Sequence, residues 1–432
     1  MAEQVVNDRP DRSGLRRNRD FWLLLSGQVV SFVGDQAQFL ALPLVVLAVS
    51  GSAAQAGIVG GLGTVSFLLF GLVAGALADR WDRKSTMIWC EVGRAVLTGT
   101  VAVALVLDGL ALPLLYLVAI ANGVLSTLFQ AANSAVLPNV VGTERLSSAL
   151  GYSETVHNTV RVFGATVAGA LYSLGRAVPF GVNAITFVLS ALSLRLIRAR
   201  FQESSQEERA KERRPLTAEI REGLSWLWHQ PVIRFLTLAS AADNVRFGAG
   251  YLVIVVLAQE AGASPVELGV IFSAAAVGAL LGALVSDRVV RRFPLGRIAV
   301  TMLWVEALGF PLYVVADSPL LIGAVAAVES LIAPIYMVAI NTYRLAITPD
   351  ALRGRVNSAE QTLTTGALSI GAMASGTLIA ALGASHVVLL LSGWMICLAL
   401  LTSTNRAVRA APIAARATAA SAAGDGAQEA RA

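Results

Sequence analysis

The residues that invite chemistry are ionisable side chains set inside long apolar runs. Asp35 is the only charge between Phe21 and Val49. Asp243, Asn244 and Arg246 crowd four positions of a second run, and Glu306, Glu329 and Arg161 lie in three others. A carboxylate at the centre of a bilayer costs about 2.5–3.5 kcal/mol on insertion scales, so such a group is kept for ion or proton traffic or is neutralised by a partner. Asp35, lying midway along its run, reads as a proton-coupling or cation-binding carboxylate, or else as a structural acceptor between helices. Asp243 and Arg246 are three apart and can share a helix face, which would make Asp243 a paired, structural acid. Glu329 is the better of the two glutamates, and Arg161 is the expected partner of one of these acids. Asn122, Gln130, Asn133 and Asn341 offer neutral hydrogen bonds; Phe39, Phe129, Phe247, Tyr251 and Tyr336 offer aromatic walls, although ordinary helix packing explains the same residues.

Other chemistries are excluded by what is missing. No G-x-x-x-x-G-K-[ST] run occurs, so the chain carries no phosphate-binding loop and no ATP motor of its own. Neither a nucleophile elbow nor H-E-x-x-H is present. Three histidines and two cysteines, Cys90 and Cys397, make a metal cluster or a disulfide framework improbable, and both thiols are expected to be buried. No enzymatic activity, no cofactor and no nucleic-acid partner is expected; the net charge of +5 sits in loops rather than on a binding face.

The elements that hold these residues are membrane helices. The 432 residues are 56% hydrophobic and 14% charged, against roughly 25% charged in soluble domains. About 20 apolar residues make one span. Twelve stretches qualify: 21–49, 54–78, 85–107, 112–136, 147–174, 178–198, 231–258, 265–286, 296–316, 319–345, 355–382 and 386–404. The fifth and eleventh are rich in Gly, Ser and Thr, which suits helices packed against other helices. The first run is too long for a cleavable signal and reads as a retained span. Placing the N-terminus inside puts nearly all Lys and Arg on the cytoplasmic side, so both termini are expected there, in a multi-pass protein of the cytoplasmic membrane. The organisation expected is an N-terminal tail (1–20), a six-helix bundle (21–198), a linker (199–230), a second six-helix bundle (231–404) and a disordered tail (405–432). The linker ends in a stretch where Ile220, Leu224, Leu227 and Trp228 recur at helical spacing behind Thr217, a possible N-cap. That reads as a helix lying at the membrane interface.

The two bundles read as repeats. Asp35 matches Asp243, Gly75-Ala-Leu matches Gly282-Ala-Leu, Asn133-Ser134 matches Asn341-Thr342, and Gly164-Ala165 with Gly169 matches Gly371-Ala372 with Gly376. Four matches in order, at one spacing of about 208 residues, imply an all-α membrane protein of twelve transmembrane helices in two pseudo-symmetric six-helix bundles, with a substrate site between them near the midplane.

Between the second and third spans runs Gly75-Ala-Leu-Ala-Asp79-Arg80-Trp81-Asp82-Arg83-Lys84. It resembles the cytoplasmic loop motif of the major facilitator superfamily, G-x-L-a-D-r-x-g-r-k, with Asp82 in place of the usual Gly. Ser31-Phe-Val-Gly-Asp35, Ile220-Arg-Glu-Gly-Leu224 and Leu352-Arg-Gly-Arg-Val356 resemble the twelve-span drug and macrolide-efflux and enterobactin-exporter-like branch. The resemblance implies that Gly75, Asp79, Arg80, Arg83 and Lys84 form a gating loop that latches the two halves, with Asp79 near the start of the eleventh span. It also implies alternating access, with protons as the energy source. One departure stands out: Arg161-Val-Phe-Gly164-Ala165-Thr-Val-Ala168-Gly169 keeps two glycines of the antiporter motif but lacks its proline, which leaves the direction of transport open. The expected activity is export of hydrophobic or amphiphilic small molecules in exchange for protons by a monomer in the lipid bilayer, with Asp35, Asp243, Glu329, Arg161, Asn133 and Asn341 at the cavity. Export of a siderophore or other secreted metabolite, proton-coupled import, and a non-transporting sensor or scaffold are the alternatives.

Overall fold

Apolar runs of this length satisfy their backbone groups only as helices once water is removed, and the computed structural model is helical throughout. It describes residues 18–134, 136–142, 145–199, 201, 216–349 and 352–411. The spans are 1 (Arg19–Ser50), 2 (Ala53–Arg80), 3 (Arg83–Val106), 4 (Leu112–Ser134), 5 (Leu146–Leu174), 6 (Val178–Leu196), 7 (Pro231–Glu260), 8 (Pro265–Arg292), 9 (Leu295–Gly309 and Leu312–Val315), 10 (Pro319–Ser330 and Ile332–Ile347), 11 (Arg353–Leu382) and 12 (Ala384–Thr404). Eleven of them are long and apolar enough to cross a membrane. The twelfth, span 5, has 29 residues but carries Glu154, His157 and Arg161. The outward faces are apolar: Val106, Leu174 and Leu320 are each more than 70% exposed, as lipid-facing side chains should be.

Helix starts follow the local chemistry. Asn18 accepts from the Phe21 N–H at 3.0 Å and opens span 1. Ser264 and Glu267 form a reciprocal capping box at the start of span 8. Asp82, the departure from the loop motif, accepts from the Ser85 N–H at 2.8 Å and caps span 3.

Each half repeats one packing scheme. Span 1 packs on 5 and 6 as span 7 packs on 11 and 12; span 3 packs on 6 as span 9 packs on 12; span 2 packs on 4 as span 8 packs on 10. The halves meet along two equivalent seams, span 2 against span 11 and span 5 against span 8. The repeated glycines make both. A Cβ on Gly57 would stand 2.8 Å from the Gly376 nitrogen, and one on Gly269 would stand 2.9 Å from the Thr166 Cα. Gly169 backs onto Pro265 and Gly376 onto Ala53. Gly164 and Gly371 instead abut the first helix of their own half, at Gln36 and Val245. The described seam contacts sit toward the ends joined by the 51–52, 175–177 and 261–264 connections. There Tyr251 donates to the Phe39 carbonyl at 3.0 Å, and the rings of Phe39, Tyr251 and Phe272 stack in series.

The segments outside the two bundles differ from expectation in two ways. The linker helix (Leu216–His229) does not simply lie at an interface: Leu227 is fully buried in a core with Ile233, Ile298 and Tyr343, and Glu222 accepts from Arg355 at 2.6 Å. The Thr217 and Ile220 side chains lie outside the described residues. After span 12, Arg406–Arg409 forms a further helical turn capped by Asn405, with Val408 fully buried, because Gly296 lets the chain approach. The expected tail thus begins as packed structure; residues 412–432 lie outside the described residues. Cys90 is buried as expected, but Cys397 is exposed, on a face of span 12 where apolar contact does not need protein.

Candidate functional site

Most of the buried charges gather into one cluster per half. In the N-terminal half, Arg94 of span 3 reaches Asp35 of span 1 and donates from Nη2 to both carboxylate oxygens, at 2.8 and 3.0 Å. The guanidinium lies over the Phe187 ring of span 6, 4.1 Å from its centre. Glu91, one turn before Arg94, is fully buried, 3.9 Å from Arg94 Nη1, and accepts long hydrogen bonds from Ser31 at 3.4 and 3.5 Å. A neutral ladder continues the cluster: Gln38 accepts from Asn183 at 2.7 Å and from Thr98 at 3.3 Å, and Asn122 donates to Thr98 at 3.4 Å.

In the C-terminal half, Arg246 of span 7 stands among three acids. Its Nε donates to Asp243 at 2.8 Å, its Nη1 is bound tightly to Glu329 of span 10, and its Nη2 lies 3.6 Å from Glu306 of span 9. Phe310 lies beside the guanidinium, as Phe187 does in the other half. Spans 9 and 10 are each broken just past their glutamate, at 310–311 and at Leu331.

Asp35 and Asp243 therefore occupy matching places, and both are ion-paired rather than isolated. Arg161 is not the partner the sequence suggested. Its side chain is exposed, and the acids pair with Arg94 and Arg246 instead. The physical reason is reach: span 5 meets the other half across small residues, while spans 3 and 7 carry their arginines into the bundle interiors. Glu306, ranked below Glu329, shares its cluster. Asn133 accepts from Gln28 at 2.6 Å, and Asn341 accepts from Arg344 at 2.9 Å. Arg344 is buried, paired with Glu360 of span 11 and bonded to Asn357 at 3.0 Å. Sequence reasoning gave no role to Glu91, Arg94, Arg344 or Glu360. The i, i+3 spacing of Glu91 and Arg94 was the available signal for the first pair.

The described bonds of Arg83 and Lys84 in the gating loop run to their own half. Lys84 donates to the Ile197 carbonyl at 2.7 Å, at the end of span 6, and Arg83 donates to the Phe201 carbonyl beyond it at 3.3 Å. Arg80 is exposed, and Gly75 faces open space. The Asp79 side chain lies outside the described residues.

A paired carboxylate and guanidinium at mid-helix can exchange a proton or a cation for the pairing itself, and little else. The sequence pattern described as Major Facilitator Superfamily matches residues 24–248 and 244–424. The multidrug efflux pump Tap of Mycolicibacterium fortuitum is 28% identical over 383 residues, covering 86% of this chain and 91% of that one. Tap of Mycobacterium tuberculosis is 27% identical over 90% of this chain and 94% of its own. Among solved structures, the nucleoside transporter NupG superposes with a TM-score of 0.73 at 12% identity, over 89% of this chain and 98% of that one. A bacterial homologue of the lysosomal transporter Spinster, inward-facing and occupied, superposes with 0.69 at 15%, over 91% and 98%.

Proposed function

This chain belongs to the major facilitator superfamily and is a multi-pass, non-enzymatic membrane transporter, and on that premise we propose that it exports hydrophobic or amphiphilic small molecules in exchange for protons. The substrate class follows the likeness to Tap over most of both chains. The coupling ion follows from one observation: in each half, mid-helix carboxyls outnumber the cations that could neutralise them. Asp35 and Glu91 face Arg94; Asp243, Glu306 and Glu329 face Arg246. Unneutralised charge in so dry a place is too costly to persist, so the surplus acids take protons.

Alternating access follows from the seams. With both termini cytoplasmic, as the placement of Lys and Arg favours, the tightest seam contacts fall on the outer side, which supports an inward-facing reading of this arrangement. Rocking one half against the other would open these seams and present the clusters to the exterior. Asp35, whose side chain is one-third exposed, is the N-terminal acid that faces the cavity.

The test is expression in an efflux-deficient bacterial host. The expected result is raised tolerance to amphiphilic drugs and dyes, with dye efflux that stops when an uncoupler dissipates the proton gradient. Unchanged tolerance across such a panel, with no uncoupler-sensitive efflux from a well-expressed protein, removes the proposal.

A further inference from the structure

We infer that Arg161 of span 5 is the anchor for a carboxylate on the transported molecule, so that the substrates are amphiphiles bearing an acidic group. This rests on the small-molecule export reading above and names the class. Arg161 is exposed, and it makes no hydrogen bond or ion pair among the described residues. Its direction follows from its neighbours on the helix. Gly164 packs on Gln36 of span 1, while Gly169 and Thr166 pack on Pro265 and Gly269 of span 8. Successive residues turn by about 100°, which aims Arg161 between those two contacts. The exposed apolar face, with Phe163, Val167 and Leu174, lies roughly opposite. Arg161 therefore opens toward the space between the halves and away from lipid.

Its depth is fixed by two contacts. Phe32 of span 1 meets His157 of span 5 edge-on, ring centroids 5.1 Å apart, and a Cβ on Gly164 would stand 3.0 Å from the Gln36 Cβ. These contacts bracket Asp35 on one helix and Arg161 on the other, so the two charges share one level. Asp35 is already held by Arg94 at 2.8 and 3.0 Å. Among the described residues no other acid is placed to serve Arg161. Glu154 is on the same face but two turns away, about 10 Å along the axis. Span 8, which faces span 5 across the seam, carries no acid between Glu267 and Asp287. Asp243 and Glu329 are bonded to Arg246, Glu360 is paired with Arg344, and Glu91 and Glu306 are buried in their own clusters. An unpaired guanidinium at mid-span becomes costly once the space between the halves closes and its water leaves. The counter-charge then has to arrive with the substrate, and a planar fork of N–H donors suits a carboxylate. One turn beyond Asp35, Phe39 is 57% exposed and stacks on Tyr251 of the other half, an aromatic wall for the apolar body of such a molecule.

A matched pair of dyes tests this on the full-length purified protein. Rhodamine 19 and rhodamine 6G share one xanthene cation; the first carries a free carboxylate where the second carries its ethyl ester. Binding of each is read by fluorescence anisotropy, with no gradient present. The wild type should bind rhodamine 19 about tenfold more tightly than rhodamine 6G, the low end of what a hydrogen bond to a charged group contributes. Arg161→Gln should bring that ratio close to one, and Arg161→Lys, which keeps the charge but not the fork, should leave it in between. A wild type that shows no preference for the acid overturns the assignment, and this arm needs no variant. So does an Arg161→Gln protein that binds both dyes more weakly by the same factor, which marks a structural role. A wild type that binds neither dye also overturns the assignment. If that protein lacks uncoupler-sensitive efflux in the host as well, the export reading falls with it; if it retains such efflux, only the assignment falls.

Discussion

The two halves solve one electrostatic problem in two ways. Both place an aspartate on their first helix, Asp35 or Asp243, and a glutamate on their third, Glu91 or Glu306. Both back the arginine with an aromatic ring. They differ in where the arginine comes from: span 3 in the N-terminal half, span 7 in the C-terminal half. Taking it from span 3 brings Asp35 to Arg94 across helices and leaves Glu91 behind the pair. Taking it from span 7 keeps Asp243 and Arg246 on one helix and frees the outer nitrogens of the guanidinium for Glu329 and Glu306. A duplicated scaffold has thus kept its acids and moved its base, and the C-terminal cluster carries the larger surplus of carboxyls.

The most severe way to break this contrast is to remove the bases. Arg246→Met strands three carboxyls, Glu306 buried and Asp243 and Glu329 mostly so, and losing one partner of a buried ion pair costs about 3–5 kcal/mol. The expected result is a sharp fall in melting temperature and in recovered protein. Arg94→Met strands two, of which Asp35 is partly exposed, and should cost clearly less in the same thermal assay. Equal losses would show that the halves are not electrostatically distinct. At the seams the halves should instead behave alike. Gly169→Val and Gly376→Val each force a side chain against backbone, a cost of about 1–3 kcal/mol by analogy with overpacked cores. In a background of Cys90→Ser and Cys397→Ser, both should raise thiol labelling of Thr166→Cys from the outer side, to a similar extent. The smallest expected effect concerns the loop. Asp82→Ala removes the cap of span 3 and should cost about 1 kcal/mol, seen as a small shift in melting temperature. Asp287→Ala in the other half should do less, since Asp287 is exposed and pairs with Arg291 at 2.8 Å.

What the sequence disclosed followed the range of the interactions. Spans were legible because each is a continuous apolar run, and the repeat was legible because aspartates and glycines recur at one spacing. The Asp243–Arg246 pair was legible because three positions on a helix are neighbours. Asp35–Arg94 was not, because 59 positions separate them and only the packing of spans 1, 3 and 6 joins them. The same limit gave Arg161 an acid it does not meet and hid that Glu306 and Glu329 approach one arginine from different spans. The loop was recognised for its motif, but the use of Arg83 and Lys84 depends on where span 6 ends, which no local pattern states.

The paired glycine seams have a mechanical consequence. Each half offers the other the same patch, span 2 to span 11 and span 8 to span 5, so the contact is self-complementary in the manner of a two-fold dimer written within one chain. Neither seam can part alone without twisting the other. A wedge driven into one side is therefore resisted by both, and the seamed end behaves as a single leaf with two hinges.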